Sequence, residues 1–182
     1  MTVSADTSTP RVVLVTGALG SAADAASIGR ARATGFARRG WDVALQRSHG
    51  APRAAADALA RNVTAPLALA RALADATPDA AREHEALRAC AIHVLDQALF
   101  HPAPAQLSHA LMQAALNRAT SALALTLAPK VRVAALVRGH APHADDIAAA
   151  ACYLASAPGV TGATLTVDGG EHLVPPAAGP NE

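Results

Sequence analysis

The side chains best able to move protons or electrons in this 182-residue sequence are eight histidines and two cysteines. An imidazole titrates near neutral pH and can exchange a proton or ligate a metal. No two histidines stand at the helical spacing, with a carboxylate beside them, that a zinc site requires, so no metal is expected. Most of them are expected in loops or on the surface. Cys90 and Cys152 are far apart, and each lies inside an apolar run where a free thiol behaves as a small buried hydrophobe, which points to a reducing cytoplasm. Different chemistry is suggested near the start. The β-branched run Arg11 to Thr16 (RVVLVT) ends in Gly17, and Gly20 and Gly29 follow among small residues before a helical pattern from about Ser27 to Arg39. A strand, a glycine turn and a helix N-terminus together gather backbone amides against a phosphate.

The elements around these residues alternate. Gly40 ends the first helix, and Trp41 to Gln46 (WDVALQ) resumes a strand, so the opening segment is one right-handed βαβ unit. Ala51 to about Thr77 is alanine-rich and helical, with Asn62 and Pro66 predicting the end of one short helix and the start of another. Further strands are predicted at Ala89 to Leu95, Val131 to Val137 and Ala163 to Val167, and helices at Ala105 to Leu127 and Ala144 to Ala155. Five strands alternating with helices give an α/β fold, a Rossmann-like doubly wound parallel sheet. It occupies one domain, residues 11–172, between a disordered tail at 1–10 and a second tail at 173–182.

Composition limits the partners. Hydrophobic residues make up 52% of the chain, but with one Trp, one Tyr and two Phe the core is thin and gains from a partner subunit. Fifteen basic and fourteen acidic residues are spread along the chain, so neither nucleic acid nor an anionic membrane is expected as a partner. The polar start and the lack of an apolar run long enough to cross a bilayer argue for a soluble protein.

Several segments, in order, resemble the short-chain dehydrogenase/reductase family. They are VLVTGALG at the first strand, SIGRARATGFARRGWDV through the first helix, NVTAPLALARALA at a central helix and VTGATLTVDGG at the end. The stretch from Val94 to Val133 resembles the catalytic strand and helix of the pteridine reductases. This resemblance implies NADP(H) as cofactor. Thr16, Gly17, Gly20, Ile28 and Gly29 would cradle its pyrophosphate, although the inserted ALGSAADAAS lengthens the family's usual spacing there. Arg47 and Ser48 stand where relatives bind the adenosine 2′-phosphate, and no acidic residue is present to favour NAD.

The family's catalytic set is an Asn, a Ser or Asp, a Tyr and a Lys. The resemblance places Asn62, Asp96, His109 and Gln113 at those positions, so the Tyr and Lys are replaced. In the family the Tyr donates a proton while the Lys lowers its pKa. Gln113 brings no positive charge, and from the sequence His109 has no cationic neighbour to tune it. Between Arg47 and Asn62 the family's third and fourth strands are missing, its Pro-Gly pair is replaced by Arg138-Gly139, and its substrate loop is cut to His140-Ala141-Pro142. Removing those strands from the order 3-2-1-4-5-6-7 and renumbering gives the order 2-1-3-4-5.

Three expectations follow. In the first, the chain is a catalytically impaired, regulatory subunit, oligomeric with itself or with a full-length family member through the long and central helices. In the second, it is an unusual NADPH-dependent reductase of a pterin or small carbonyl substrate, with His109 as proton donor, Asp96 as substrate anchor and Asn62 as an organiser. The third is an NADP(H) sensor.

Overall fold

The computed structural model describes residues 11–17, 34–45, 58–140 and 143–174. Strands β1 (Arg11–Gly17), β2 (Trp41–Leu45), β3 (Ala89–Leu95), β4 (Val131–Arg138) and β5 (Thr164–Val167) form one parallel sheet in the order β2-β1-β3-β4-β5. This is the order expected from the shortened family pattern. Every residue of β3 and β4 is buried, as in the middle of a parallel sheet covered on both faces.

The register alternates side chains between two cores. Val13, Val15, Cys90, Ile92, Val94 and Leu136 face Ile147, Ala151 and Leu154 of helix α3 (Ala144–Ser156). Phe36 and Trp41 complete that side edge to face, 6.3 Å between ring centroids. On the other face, Ala89, Ala91, Val131 and Val133 meet Ala70 of helix α1 (Ala65–Ala76) and Leu123 and Ala124 of helix α2 (Leu107–Leu127). The alanines let these helices approach the sheet closely, which is how a core poor in aromatics still fills its volume.

Pro66 does not divide the central helix. A π-helical turn, Ala60–Thr64, runs directly into α1, and the Ala65 amide donates to the Ala60 carbonyl five residues back. Pro66 then sits in the first turn of α1, where its missing N–H needs no acceptor. The wider turn thus removes the need for the break expected at Asn62 and Pro66. Other boundaries shift by a residue or two. The long helix begins at Leu107 after a 3₁₀ turn (Pro104–Gln106), and β4 extends to Arg138.

Arg132 holds α3 to the sheet. It is buried, and its Nη1 donates to the carbonyls of Leu154, Ala157 and Val160 at 2.8, 2.9 and 3.3 Å, while Nη2 donates to Ala155. The free carbonyls and negative dipole end of α3 are therefore met by a cation. Arg132→Met should leave these carbonyls unsatisfied and lower stability by roughly 3 kcal/mol, read as a lower urea midpoint with an unchanged slope.

Candidate functional site

A parallel sheet of this order has its switch point between β1 and β3, whose outgoing connections run in opposite directions, to β2 and to β4, and open a crevice at the carboxyl ends of the strands. Thr16 and Gly17 end β1 there, paired in register with His93 and Val94 of β3. Asp96 is the first residue beyond β3. Its Oδ1 accepts from the Ala98 amide at 3.0 Å and caps the short 3₁₀ turn Gln97–Leu99, a local use of Asp that turns the chain out of the sheet. Its Oδ2 lies 2.8 Å from His109 Nε2.

His109 and Gln113 are one turn apart on one face of α2 and both reach the Asp96 segment. They do so differently. The His109 and Asp96 side chains are 28% and 19% exposed and line an open cleft. Gln113 is buried, and its Oε1 accepts from the Asp96 backbone amide at 3.2 Å, so it braces the cleft wall from behind. Asn62, in the π-helical turn, donates to the Met112 thioether at 3.9 Å and does not line the cleft. The Thr16 hydroxyl is buried without a partner among the described residues. Gly20, Ile28, Gly29, Arg47 and Ser48 lie outside the described residues.

The cleft measures about 360 Å³ and is also lined by Gln97, His101, Gln106, Arg138, Gly139 and His140. Arg138 ends β4 and is only 8% exposed. It corrects the expectation that His109 has no cationic neighbour, since its charge acts on both Asp96 and His109. A charged residue closing an apolar parallel strand was the available sequence signal, because that position faces the crevice. Gln97 had no such signal. Its Nε2 bridges the Arg138 carbonyl at 3.3 Å and Asp168 Oδ2 at 2.8 Å, tying the ends of three strands together.

Asp168 is the third anchor. It accepts from the amides of Gly170 and His172, from His172 Nδ1 and from Gln97. Burial alone would raise its pKa, but these four donors overcome that and bring it down to about 2. Gly169 and Gly170, at φ 66° and 91°, make the turn that brings those amides round. Gly139 leaves a tight space: a Cβ there would lie 2.7 Å from Glu171 Oε2 and 3.2 Å from the Asp168 backbone, so a side chain would have to displace the Glu171 carboxylate. His140 pairs with that same Glu171.

His93 departs from the expectation of surface histidines. It is fully buried in β3, and burial lowers its pKa to about 4, so it is neutral. Its Nδ1 lies 2.9 Å from Thr120 Oγ1, whose own hydroxyl is directed to the Leu116 carbonyl at 3.0 Å; Nδ1 is therefore the protonated nitrogen.

Chemically, the cleft holds an imidazole ready for proton transfer. Its hydrogen bond to Asp96 raises the His109 pKa, against the opposing effects of burial and Arg138. Burial pushes Asp96 up, but the hydrogen bond and charge of His109, the Ala98 amide and Arg138 together hold its carboxyl below the usual range. With Nε2 on Asp96, Nδ1 is left as the nitrogen to meet a molecule in the cleft.

No protein-family profile matches the chain, and comparison with curated proteins finds no match. Solved structures do match. FolM alternative dihydrofolate reductase 1 from Brucella canis, complexed with NADP, superposes with a TM-score of 0.71 at 19% identity, over 92% of this chain and 96% of that one. The FolM protein from Brucella suis, also in complex with NADP, gives 0.67 at 19% identity, over 90% and 96%. An apo SCOR enzyme from Clostridium thermocellum gives 0.68 at 18% identity, over 94% and 96%. The likeness establishes a shared Rossmann-like fold.

The Asp96–His109 pair has a defined pH signature. An imidazole with a raised pKa contributes stability that is full below the ordinary value of 6.5 and lost as pH rises through the raised one. The depressed Asp96 carboxyl contributes above 3.8 and loses that contribution as pH falls. The pairing is therefore strongest between those limits. Asp96→Asn should lower the His109 pKa, followed by NMR titration of the imidazole; an unchanged value would mean the pair does not form in solution.

Proposed function

We propose that the chain is a shortened member of the short-chain dehydrogenase/reductase family that keeps reductase chemistry, acting with NADPH on a small carbonyl or pterin-like substrate. The observation that carries this reading is the Asp96–His109 hydrogen bond, at 2.8 Å on the wall of a cleft at the carboxyl ends of the strands. The NADP-bound state of two structural neighbours supports the choice of cofactor. Among the described residues the fit is limited to the end of β1, where the orphaned Thr16 hydroxyl and the adjacent Gly17 stand at the switch point. When bound, NADPH supplies a hydride.

The residues of the chain then divide the remaining work. His109, as imidazolium, donates its proton to the substrate oxygen or nitrogen as negative charge develops there. Asp96 orients the ring and stabilises its charged form. Arg138 supplies a positive charge beside the pair, which Gln113, standing where the family has a lysine, does not. Gln113 holds the Asp96 backbone in line with the helix. Buried, unpaired Cys90 and Cys152 are in keeping with a cytoplasmic setting. Among the described residues no helix is long and apolar enough to cross a membrane.

The non-catalytic subunit reading has one observation of its own. The outer face of α2 exposes Leu107, Leu111 and Leu125, which supports a second copy, or a longer family member, packing there. An oligomer is compatible with either reading. Leu111→Glu should shift the protein to a smaller species in light scattering, and an unchanged mass would remove α2 from the interface.

Purified protein should oxidise NADPH in the presence of one or more small carbonyl or pterin compounds. The rate should fall as pH rises through the raised His109 pKa. His109→Phe should reduce turnover by roughly 10²- to 10⁴-fold. No oxidation over the whole panel, with NADPH binding retained in a calorimetric titration, would favour the non-catalytic reading.

A further inference from the structure

Three carboxylates stand around the cleft and its floor, and each is already engaged with a histidine. Asp96 pairs with His109, Glu171 with His140, and Asp168 with His172. Arg138 lies among them without an ion pair among the described residues. Its Nε is buried and has no partner, and Nη1 reaches only the neighbouring Gly139 carbonyl, at 3.4 Å. A guanidinium stays protonated and offers five donors in a planar fork, so keeping it more than nine-tenths buried with so few acceptors is costly for the protein alone. Two further lining residues have buried polar atoms without partners, His101 Nε2 and Gln97 Oε1.

We propose that Arg138 is the anchor for a substrate carboxylate, which its fork binds while the reducible group of the same small molecule lies against His109. A carboxylate is planar and accepts two parallel hydrogen bonds from a guanidinium, which satisfies the donors the fold leaves open. A single negative charge also suits the surroundings better than a phosphate dianion, because the ionised Asp96 and Asp168 already stand nearby and would repel a second charge. The substrate class is therefore a small oxo or imino acid. The reaction assigned to this acid rests on the reductase reading above, but carboxylate capture by Arg138 does not.

The test uses binding, without cofactor or turnover. Benzoate and its uncharged counterpart benzamide are titrated calorimetrically into the full-length protein. Benzoate should bind and benzamide should bind far more weakly. Arg138→Gln should weaken benzoate by on the order of 10- to 100-fold, with the circular dichroism spectrum and melting temperature preserved. Should that variant fail to fold, Arg138→Lys keeps the charge but removes the fork, and should still weaken benzoate. Equal binding of the two probes, no benzoate binding at all, or wild-type benzoate affinity in the folded Arg138 variant would overturn the proposal. Benzoate capture combined with no NADPH oxidation by a panel of small oxo and imino acids would leave the anchor intact and sink only the reductase reading.

Discussion

At the end of β3 one residue must turn the chain out of the sheet and hold the next long helix against it. Asp96 does both, with its carboxylate shared between the Ala98 amide and His109 and its own amide held by Gln113. Two contacts one helical turn apart set both the position and the rotation of α2. Everything that faces the cleft from that helix depends on this fastening. The same hydrogen bond sets the charge state of the imidazole, so the packing of α2 and its proton chemistry are coupled.

The electrostatics of the cleft follow from pairing. Partly buried carboxylates and imidazoles satisfy one another at Asp96–His109 and Asp168–His172, which offsets the cost of withdrawing each from water, and an exposed pair, Glu171–His140, stands beside them. Asp168 goes furthest, because two backbone amides from a glycine turn add to its side-chain partners. Arg138 is left over from this scheme. A buried cation with unused donors raises the local potential, and its burial makes it act more strongly than it would in water.

The five-stranded sheet is organised around β3 and β4. β3 and β4 are buried along their whole length, and β1 borders the switch point as it would in a larger sheet. Small side chains on α1 and α2 let both helices sit close to one face, while α3 and the Phe36–Trp41 pair fill the other. The segments that follow β1 and β2 lie outside the described residues, so the crevice is defined from its β3 and β4 side.

Much of the fold was legible in the sequence, because alternating β-branched runs and alanine-rich helices repeat at different periods, and the order of the matched segments implied the strand order. The bounds of β3 could be read directly, since its apolar run is sharply flanked. The π-helical turn before Pro66 could not, because a proline reads locally as a break and only the Ala65–Ala60 bond shows how the chain continues. Asp96, His109 and Gln113 could be singled out through the family resemblance, but their separate roles could not. Whether a side chain faces the cleft or braces its wall depends on how α2 is rotated against β3, and that is a tertiary outcome. The position of Arg138 beside them is equally non-local. Among the described residues its guanidinium has no ion-pair partner, since the carboxylates nearby are already engaged, one of them by a Gln97 bond across 71 residues of chain, and local sequence carries no record of such a competition.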